Sequence, residues 1–468
     1  MILASFLQDF DFITALYIVA FSLFVIGISG LTGPRTAVQG NRIAAVGMAI
    51  AVVATLLHQE VGDWVLIVVG IVVGTVVGVP AARQVKMTQM PQMVALFNGV
   101  GGGAVALIAW AEFRDHGGDL TDLEFGIPLV FAAIIGSISF WGSNIAFAKL
   151  QELISGRPVK IPGGVVLNLL LLGIAVGCGI AILAGSDSEL LFIAILVSAA
   201  ILGNTFVLPI GGADMPVVIS TLNAFTGLSA AAAGMALDNI ALIVAGMIVG
   251  ASGTILTQQM AEAMNRTIVS VLLGGFGGEA VAPSGPEGAT GGTVRSTSAA
   301  DAAIQMAYAR QVVVVPGYGM AVAQAQHAVR ELGKALEGRG VEVKFGIHPV
   351  AGRMPGHMNV LLAEADVPYD QLKEMDEING EFGRTDVSLV IGANDVTNPD
   401  ARSKPDSPIY GMPILNVDES SSVIVLKRSM SSGFAGIDNP LFYNPKTQML
   451  FGDAKSSVSE IVSELQAI

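Results

Sequence analysis

Hydrophobic residues in the first 260 positions form long, nearly continuous runs, unlike the spaced apolar positions of a soluble surface helix. A bilayer core requires roughly 20 apolar residues per helix. The runs predict transmembrane helices near 12–31, 42–58, 63–80, 91–111, 126–148, 164–184, 189–209, 215–236 and 239–260. Glycine and alanine recur inside them, and such small residues favour close helix packing in lipid.

The connections between these predicted helices alternate in charge. Cytoplasmic loops of membrane proteins are enriched in lysine and arginine. The alternation therefore predicts an outside N-terminus and a cytoplasmic C-terminal part. The acidic Asp9 and Asp11 near the start also differ from the positive region of a cleavable signal peptide. The basic connections contain Arg35, Arg42, Arg83, Lys86, Lys149, Arg157, Lys160 and Arg266; the acidic ones contain Glu60, Asp63, Asp115, Asp119, Asp122, Glu124, Asp187, Glu189 and Asp238.

The charge density of the chain changes beyond residue 300. Residues 1–300 hold 10 Lys+Arg and 17 Asp+Glu, whereas the shorter segment 301–468 holds 14 and 21. Residues 274–300 are rich in glycine, serine, proline and threonine, as flexible linkers are. The predicted organisation is a transmembrane domain over 1–264, a linker over 265–300 and a water-soluble domain over 301–468.

Composition excludes some classes of partner and bond. The net charge of −14 argues against a nucleic-acid partner, because phosphate binding needs a basic surface. The single cysteine, Cys178, allows no intrachain disulfide. No metal site is predicted.

A strand, a Gly-x-Gly turn and a helix follow one another after the linker. Gln311–Val315 is an apolar run typical of a buried parallel strand, and Gly317-Tyr318-Gly319 comes directly before a helix predicted to reach about Leu336. Glycines in this context allow a pyrophosphate to approach the backbone at the start of a helix. The spacing differs from the usual Gly-x-Gly-x-x-Gly, so the turn indicates a dinucleotide site only together with its flanking elements.

Further apolar segments predict the remaining strands, at 341–347, 359–363, 387–391, 414–417 and 423–426, with a terminal helix over about 454–465. Six strands with helices between them predict a doubly wound α/β parallel sheet, a Rossmann-like domain, after the α-helical transmembrane bundle. Ligands of such sheets bind at the carboxyl ends of the strands.

The end of the last predicted strand carries Lys427-Arg428-Ser429. Adjacent cations and a hydroxyl suit a phosphate monoester. An NAD site usually places an acid after the second strand, and here that strand ends at His348. Both features favour NADP over NAD, although a solvated basic loop remains an alternative explanation of the cluster.

Polar residues inside the predicted helices indicate a hydrated path through the bundle, with hydrogen bonds between helices as the alternative explanation. They are Asn98, Ser143, Asn144, Asn168, Asn204 and Asn223, together with Asp214 in the 211–216 connection. For Asp214, the alternative is an N-cap of the helix that starts near Met215.

Over nearly its whole length the chain resembles the β subunit of proton-translocating NAD(P) transhydrogenase, which carries the membrane domain and the NADP(H)-binding domain. The segments that carry the resemblance are 87–91, 211–216, 265–266, 317–327, 345–362, 375–379, 391–399, 427–430 and 452–455. The resemblance implies a multi-pass protein of the bacterial inner membrane. It also implies an NAD(H)-binding α subunit as partner, a dimer of such heteromers, and inward proton translocation coupled to hydride transfer from NADH to NADP+.

The resemblance also implies the functional residues. A proton pathway would include Ser143, Asp214, Asn223 and Gly253, and Asp395 would be an acid near the nicotinamide that links protonation to NADP(H) binding. Lys427 and Arg428 would hold the 2′-phosphate. NADP(H) would be surrounded by Gly317, Tyr318, Gly319, Ala321, Val350, Ala351, Gly352, Arg353, Met354, Pro355, Gly356, Gly392, Ala393, Asn394, Asp395, Val396, Gly411, Met412, Lys427, Arg428, Ser429, Ser432, Gly433, Phe434, Asp453 and Ala454.

Two positions depart from the family pattern. Asn98 stands where many members have a histidine, and an amide does not titrate as a histidine does. A membrane histidine of the partner is the first hypothesis for the proton carrier, and His58, near the outer end of the second helix, is the second. Phe434 stands where tyrosine is usual, which leaves only a ring to cover the cofactor.

The residues, taken without the resemblance, are also compatible with two other functions. An NADP(H)-sensing transporter or channel would need the same sheet, and a structural anchor for a soluble dehydrogenase would need the same helices. The polar residues within the helices argue against a simple anchor.

Overall fold

Nine long apolar helices form in the described part of the first 264 residues, which confirms the nine predicted segments. The computed structural model describes residues 8–31, 34–58, 61–86, 89–155, 158–159, 161–211, 214–264, 267–268, 271, 293–353, 356–407, 409–431, 433 and 435–468. The helices are α1 (Phe10–Gly30), α2 (Pro34–Leu56), α3 (Trp64–Gln84), α4 (Met90–Asp115), α5 (Leu123–Leu150), α6 (Gly164–Leu183), α7 (Glu189–Val207), α8 (Met215–Ala236) and α9 (Ile240–Ala263). Their length and apolar composition identify a membrane protein.

The chain divides into two compact units: residues 1–209 with 218–256, and residues 210–217 with 257–468. The first unit contains most of the nine helices, and the second contains the sheet. Most of the predicted linker lies outside the described residues. Its last residues, however, pair with the sheet, because Thr297 N–H donates to the Met449 carbonyl oxygen and Met449 N–H donates to that of Arg295.

Glycines bring the backbones of neighbouring helices into contact. A Cβ atom on Gly102 of α4 would lie 2.9 Å from the carbonyl oxygen of Gly136 on α5. On Gly203 of α7, a Cβ atom would lie 2.5 Å from the carbonyl oxygen of Ile138 on α5. The interpretation of these glycines as packing residues is therefore confirmed.

Helix α3 differs from its neighbours, because none of its described side chains is buried. A Cβ atom on Gly70, Gly74 or Gly78 would meet nothing within 4 Å among the described residues. The glycine face of α3 is thus left uncovered by the described residues of this chain.

A six-stranded parallel sheet forms the centre of the second unit, which confirms the predicted Rossmann-like class. Its order is β3-β2-β1-β4-β5-β6. The strands are β1 (Gln311–Pro316), β2 (Glu342–Ile347), β3 (Leu372–Glu374), β4 (Val387–Ile391), β5 (Ser422–Lys427) and β6 (Thr447–Phe451). Every residue of β1 and β4 is buried, so both faces of the central strands are covered.

Helices and short turns connect the strands. They are α10 (Ala299–Ala307), α11 (Tyr318–Val322), α12 (Gln326–Glu337), α13 (His357–Glu364), α14 (Met375–Asn379), α15 (Asp400–Ser403) and α16 (Ala454–Ala467). Helices α10 and α12 both pack against α16. A cluster containing Val313, Val315, Val390, Val423 and Val425 packs with Ile378 of α14 and with Phe442.

Two of the predicted strands are wrong. The run 359–363 lies in helix α13, because a short apolar run does not distinguish a strand from a buried helix. Residues 414–417 are mostly buried but pair with loops, since Leu415 N–H donates to the carbonyl oxygen of Val396. The edge strands β3 and β6 replace them, and β3 is too short and too charged to show an apolar run.

Candidate functional site

The carboxyl ends of β1 and β4 mark the point where the strand order changes direction. From β1 the chain continues to β2 and β3 on one side, whereas β4 leads to β5 and β6 on the other. Ligands of this fold usually bind in a crevice outside the carboxyl ends of the strands at such a switch point. All the described segments predicted to surround NADP(H) lie in the second unit that contains this sheet.

The Gly-x-Gly turn after β1 packs directly on the loop after β4. A Cβ atom on Gly317 would lie 2.4 Å from the Cα atom and 2.4 Å from the backbone nitrogen of Ala393. On Gly392, whose φ is +64°, a Cβ atom would lie 2.4 Å from Gly319 Cα. The N–H groups of Gly317 and Gly319 donate to the carbonyl oxygens of Ile391 and Gly392, each at 2.9 Å. The glycines therefore bring the two loops together.

The helix expected after this turn is interrupted. Helix α11 ends at Val322 and α12 begins at Gln326, with Gln324 between them at a φ of 51°. Ala321 is buried on the short α11. The prediction of one helix up to Leu336 is corrected to two, because the left-handed residue breaks the run of helical dihedrals.

The loop after β2 is organised around His357, whose side chain is 1% exposed. Arg353 N–H donates to His357 Nδ1 at 3.1 Å, so the proton of the neutral ring lies on Nε2. Burial, with a contribution from the Arg353 charge, lowers the pKa of His357 to about 4. A Cβ atom on Gly352 would lie 2.5 Å from His357 Nδ1, so the glycine allows the loop to fold onto the ring.

Two ring contacts connect this loop with the Gly-x-Gly turn. The Arg353 guanidinium lies 4.6 Å from the centroid of the Tyr318 ring, and the Tyr318 and His357 rings are 6.4 Å apart. The structure thus brings Tyr318 and Arg353 together. Ala351 is buried, Val350 is partly buried, Gly356 has a φ of 67°, and Met354 and Pro355 lie outside the described residues.

His348 connects the end of β2 with the segment before residue 414. Its Nδ1 accepts from Val350 N–H at 3.2 Å and its Nε2 donates to the Pro413 carbonyl oxygen at 2.8 Å. Burial lowers the pKa of His348, which keeps the ring neutral. The neighbouring Gly411, with a φ of 78°, donates its N–H to the carbonyl oxygen of Ala401, and Met412 packs beside Ile409 and Ile414.

The loop after β4 places the side chains of Asn394 and Asp395 against Gly433. A Cβ atom on Gly433 would lie 2.5 Å from Asp395 Oδ1 and 2.7 Å from Asn394 Nδ2. Asp395 Oδ2 accepts from Ala435 N–H at 3.0 Å, and Val396 is partly covered beside the cluster on Val313. Gly433 therefore packs closely on Asn394 and Asp395 because glycine has no side chain.

The basic cluster is at the carboxyl end of β5. Lys427 is the last residue of this strand, and its ammonium donates to the Ser431 carbonyl oxygen and lies 4.6 Å from the Phe442 ring centroid. Burial lowers the pKa of Lys427, while the charges of Asp395 and Asp438 oppose that shift. Arg428 and Ser429 are exposed, and Ser432 and Phe434 lie outside the described residues.

Asp453 and Ala454 come at the start of α16, beside this cluster. Gly452 N–H donates to the Lys427 carbonyl oxygen at 3.1 Å. The Asp453 carboxylate caps α16, because it accepts from the N–H groups of Lys455 and Ser456 at 3.1 and 3.3 Å. Ala454 is buried.

Within the first unit, Asn98 and Ser143 meet in a polar network between three helices. Asn98 Nδ2 of α4 donates to Ser143 Oγ at 2.9 Å and to Ser139 Oγ at 3.3 Å, both on α5. Ser139 Oγ lies 2.6 Å from Thr226 Oγ1 on α8. Sequence reasoning missed Ser139 and Thr226, because a hydroxyl within an apolar run has no distinguishing pattern.

The other predicted pathway residues lie at several places. Asn223 is partly buried on α8. The Gly253 carbonyl oxygen accepts from Ser220 Oγ at 3.1 Å, and a Cβ atom on Gly253 would lie 2.9 Å from the backbone nitrogen of Ala224. Asp214 occupies a turn before α8, where its N–H donates to the Gly211 carbonyl oxygen at 3.1 Å. The N-cap interpretation of Asp214 stays a prediction.

His58 follows the end of α2 and is partly exposed. We expect a His58→Ala variant to pump protons as the wild type does. A histidine in contact with solvent at the end of a helix is not part of a buried proton pathway. Proton uptake into vesicles that hold the assembled complex measures this, with the wild-type complex and an uncoupler as controls. Loss of pumping with hydride transfer retained would instead make His58 a pathway residue.

Comparison with known proteins agrees with this arrangement. The family model for the NAD(P) transhydrogenase beta subunit matches residues 13–464. The NAD(P) transhydrogenase subunit beta of Rhodospirillum rubrum is 49% identical over 465 residues, which cover 96% of this chain and 98% of the relative. The protein from a named strain of the same species shows the same identity and coverage. The chain, whose described residues include nine long apolar helices and a parallel Rossmann-like sheet, therefore belongs to the NAD(P) transhydrogenase beta subunit family.

Proposed function

We propose that this chain is the membrane subunit of a proton-pumping NAD(P) transhydrogenase and binds NADP(H) at the crevice between β1 and β4. The observation that carries the proposal is the sheet order β3-β2-β1-β4-β5-β6, with Gly317 packed on the β4 loop at the switch point. Family membership supports the activity.

Several side chains of the site fit a phosphorylated dinucleotide. Lys427 and the exposed Arg428 provide positive charge after β5, where a 2′-phosphate would be held. His348, which follows β2, is neutral and occupied in hydrogen bonds, so no acid is available there for the 2′-hydroxyl of NAD. Asn394 Nδ2 is buried and has no described hydrogen-bond partner, so it is able to donate to a bound ligand.

The residues of this chain would bind and orient, whereas the nicotinamide of bound NADP(H) supplies the hydride chemistry. A hydride passes from NADH to NADP+ without a proton transfer, so no side chain need act as a general acid or base. The α subunit would hold NAD(H) against the same edge of the sheet. Asp395 would couple protonation to NADP(H) binding, since it joins the β4 loop to Ala435.

The helices would carry one proton pathway with inward translocation. The network of Asn98, Ser143, Ser139 and Thr226 supports a polar route through α4, α5 and α8. Asp214, Asn223 and Gly253 would belong to the same pathway. Because Asn98 does not titrate, we propose that a histidine of the partner subunit carries the proton.

The chain would lie in the bacterial inner membrane with its N-terminus outside and the sheet in the cytoplasm, as the loop charges predict. The α subunit would complete the enzyme, and two such heteromers would form a dimer. The uncovered glycine face of α3 supports the presence of further helices in the assembly.

Replacing Lys427 with alanine tests the cofactor assignment. We expect the affinity of the full-length chain for NADP+ to fall about 10- to 100-fold, because a charge-assisted hydrogen bond to phosphate is lost. The affinity for NAD+ should not change, since NAD+ lacks the 2′-phosphate. Equilibrium titration of both nucleotides measures the difference.

The matched control is Lys446→Ala, because Lys446 lies before β6, at the opposite end of the sheet, and donates to the Ser420 carbonyl oxygen. Equal losses for NADP+ and NAD+ would contradict the assignment of Lys427. Hydride transfer in the complex with the α subunit tests the enzyme itself. Binding of NADP+ without any transfer would leave only an NADP(H)-sensing transporter.

A further inference from the structure

Two buried asparagines join the loop after β4 to the segment 438–441. Asn439 is 1% exposed, and its Nδ2 donates to the Asn394 carbonyl oxygen at 3.0 Å. Asn398 is fully buried and donates from Nδ2 to the Asp438 carbonyl oxygen at 3.0 Å. Each of the two segments thus donates one side-chain hydrogen bond to a backbone carbonyl of the other, and the two residues of the β4 loop involved flank Asp395 in the sequence.

The orientation of the Asn439 amide is determined by two backbone groups. Its Oδ1 accepts from Leu441 N–H at 3.0 Å, while its Nδ2 donates to a backbone carbonyl. A flipped amide would set its NH₂ group against an N–H and its oxygen against a carbonyl oxygen. The side chain therefore has one satisfied orientation.

The orientation of the Asn439 amide determines the orientation of the Asn394 side-chain amide. Asn439 Nδ2 also lies 3.2 Å from the Asn394 side chain, so the atom of Asn394 that faces it must be the acceptor Oδ1. The Nδ2 of Asn394 is then turned away, toward Gly433. It is buried without a hydrogen-bond partner among the described residues. A buried amide donor without a partner is unfavourable unless a ligand completes it.

We propose that Asn439 is a positioning residue, which makes Asn394 present a donor to an oxygen acceptor of the bound dinucleotide. This inference rests on the proposed function, because it assigns the ligand of the same crevice. Asn439 does not contact the ligand but acts through Asn394. An inverted Asn394 would present an oxygen to the same acceptor and repel it.

The Asn439→Asp variant tests the proposal, because it keeps the acceptor for Leu441 N–H and replaces the donor with a second acceptor. The carboxylate then favours the NH₂ group of Asn394 and inverts that amide. We expect the affinity of the full-length chain for NADP+ to fall about 10- to 100-fold, the effect of losing a hydrogen bond to a charged ligand. A carboxylate oxygen then also faces the Asn394 carbonyl oxygen, so the melting temperature is expected to fall as well, and binding is titrated at a temperature at which the variant is fully folded.

The control is Asn444→Asp, the same change of charge five residues further along the chain. Asn444 Oδ1 accepts from Lys446 N–H at 3.0 Å, and an aspartate keeps that bond. We expect this variant to bind NADP+ as the wild type does. An equal loss in both variants would show a general charge effect and overturn the proposal.

A second variant covers the case in which Asn439→Asp does not fold. Asn394→Asp keeps the acceptor for Asn439 and removes the buried donor beside Gly433, so its NADP+ affinity should fall by a similar factor. Unchanged affinity in Asn394→Asp, or in a folded Asn439→Asp, would overturn the inference. If the wild type itself does not bind NADP+, the proposed function fails instead.

Discussion

Replacing Gly317 with alanine is expected to destabilise the second unit by about 3 kcal/mol and to abolish measurable NADP+ binding. The added Cβ would lie 2.4 Å from two backbone atoms of Ala393, and backbone atoms do not move aside as a side-chain end does. Overpacking of a well-packed site usually costs about 1–3 kcal/mol, and the upper end applies because the loops after β1 and β4 must separate. Their separation would also disrupt the proposed crevice.

Thermal unfolding and NADP+ titration of the full-length chain measure these two effects. Gly383→Ala is the matched control, since a Cβ atom there would meet nothing within 4 Å among the described residues and no left-handed φ is present. It should leave both quantities nearly unchanged. A Gly317→Ala variant with the wild-type melting temperature would show that the two loops separate freely and would refute their close packing.

Acidification from pH 6.5 to about 4 is expected to remove roughly 3 kcal/mol of stability through His357 alone. Burial, with the Arg353 charge as the second cause, lowers the pKa of the folded histidine from 6.5 to about 4. Between pH 6.5 and 4, the unfolded chain therefore binds a proton at His357 that the folded chain does not bind. The contribution of the neutral ring is complete above pH 6.5, is lost as pH falls toward 4, and stays constant below that value.

A His357→Asn variant isolates this effect from the carboxylates that titrate in the same range. Asparagine keeps an acceptor for Arg353 N–H but does not titrate, so its melting temperature should fall less steeply between pH 6.5 and 4 than that of the wild type. His327→Asn, the same substitution at an exposed position of α12, is the control. Parallel pH profiles for His357→Asn and the wild type would contradict a buried neutral His357.

Sequence reasoning located the transmembrane helices well because length and apolar composition determine membrane insertion locally. It also located β1, β2, β4 and β5, whose continuous apolar runs reflect burial on both faces of the sheet. It failed for α13 and for the edge strands β3 and β6. A run such as 359–363 has no periodicity that separates helix from strand, and an edge strand needs few apolar residues.

In the candidate site, too, some residues could be identified from the sequence and others could not. The residue types of Gly317, Gly319 and Lys427 already indicated a dinucleotide with an additional phosphate, because glycine turns and paired cations have direct chemical meaning. The roles of His357 and Asn439 could not be inferred in this way. Each depends on partners distant in sequence or on backbone groups that any residue provides.

The sequence by itself determined that this chain crosses a membrane, ends in a parallel α/β sheet and carries a basic cluster after a strand. These properties follow from local composition and periodicity. Only the tertiary structure decided that the Gly317 turn closes on Ala393, that His357 is buried beside Arg353, and that Asn439 orients Asn394. Gly317 and Ala393, like Asn439 and Asn394, lie far apart in the chain, and the burial of His357 depends on the fold around its loop. Burial and backbone hydrogen bonds, rather than residue type, therefore set the outcome.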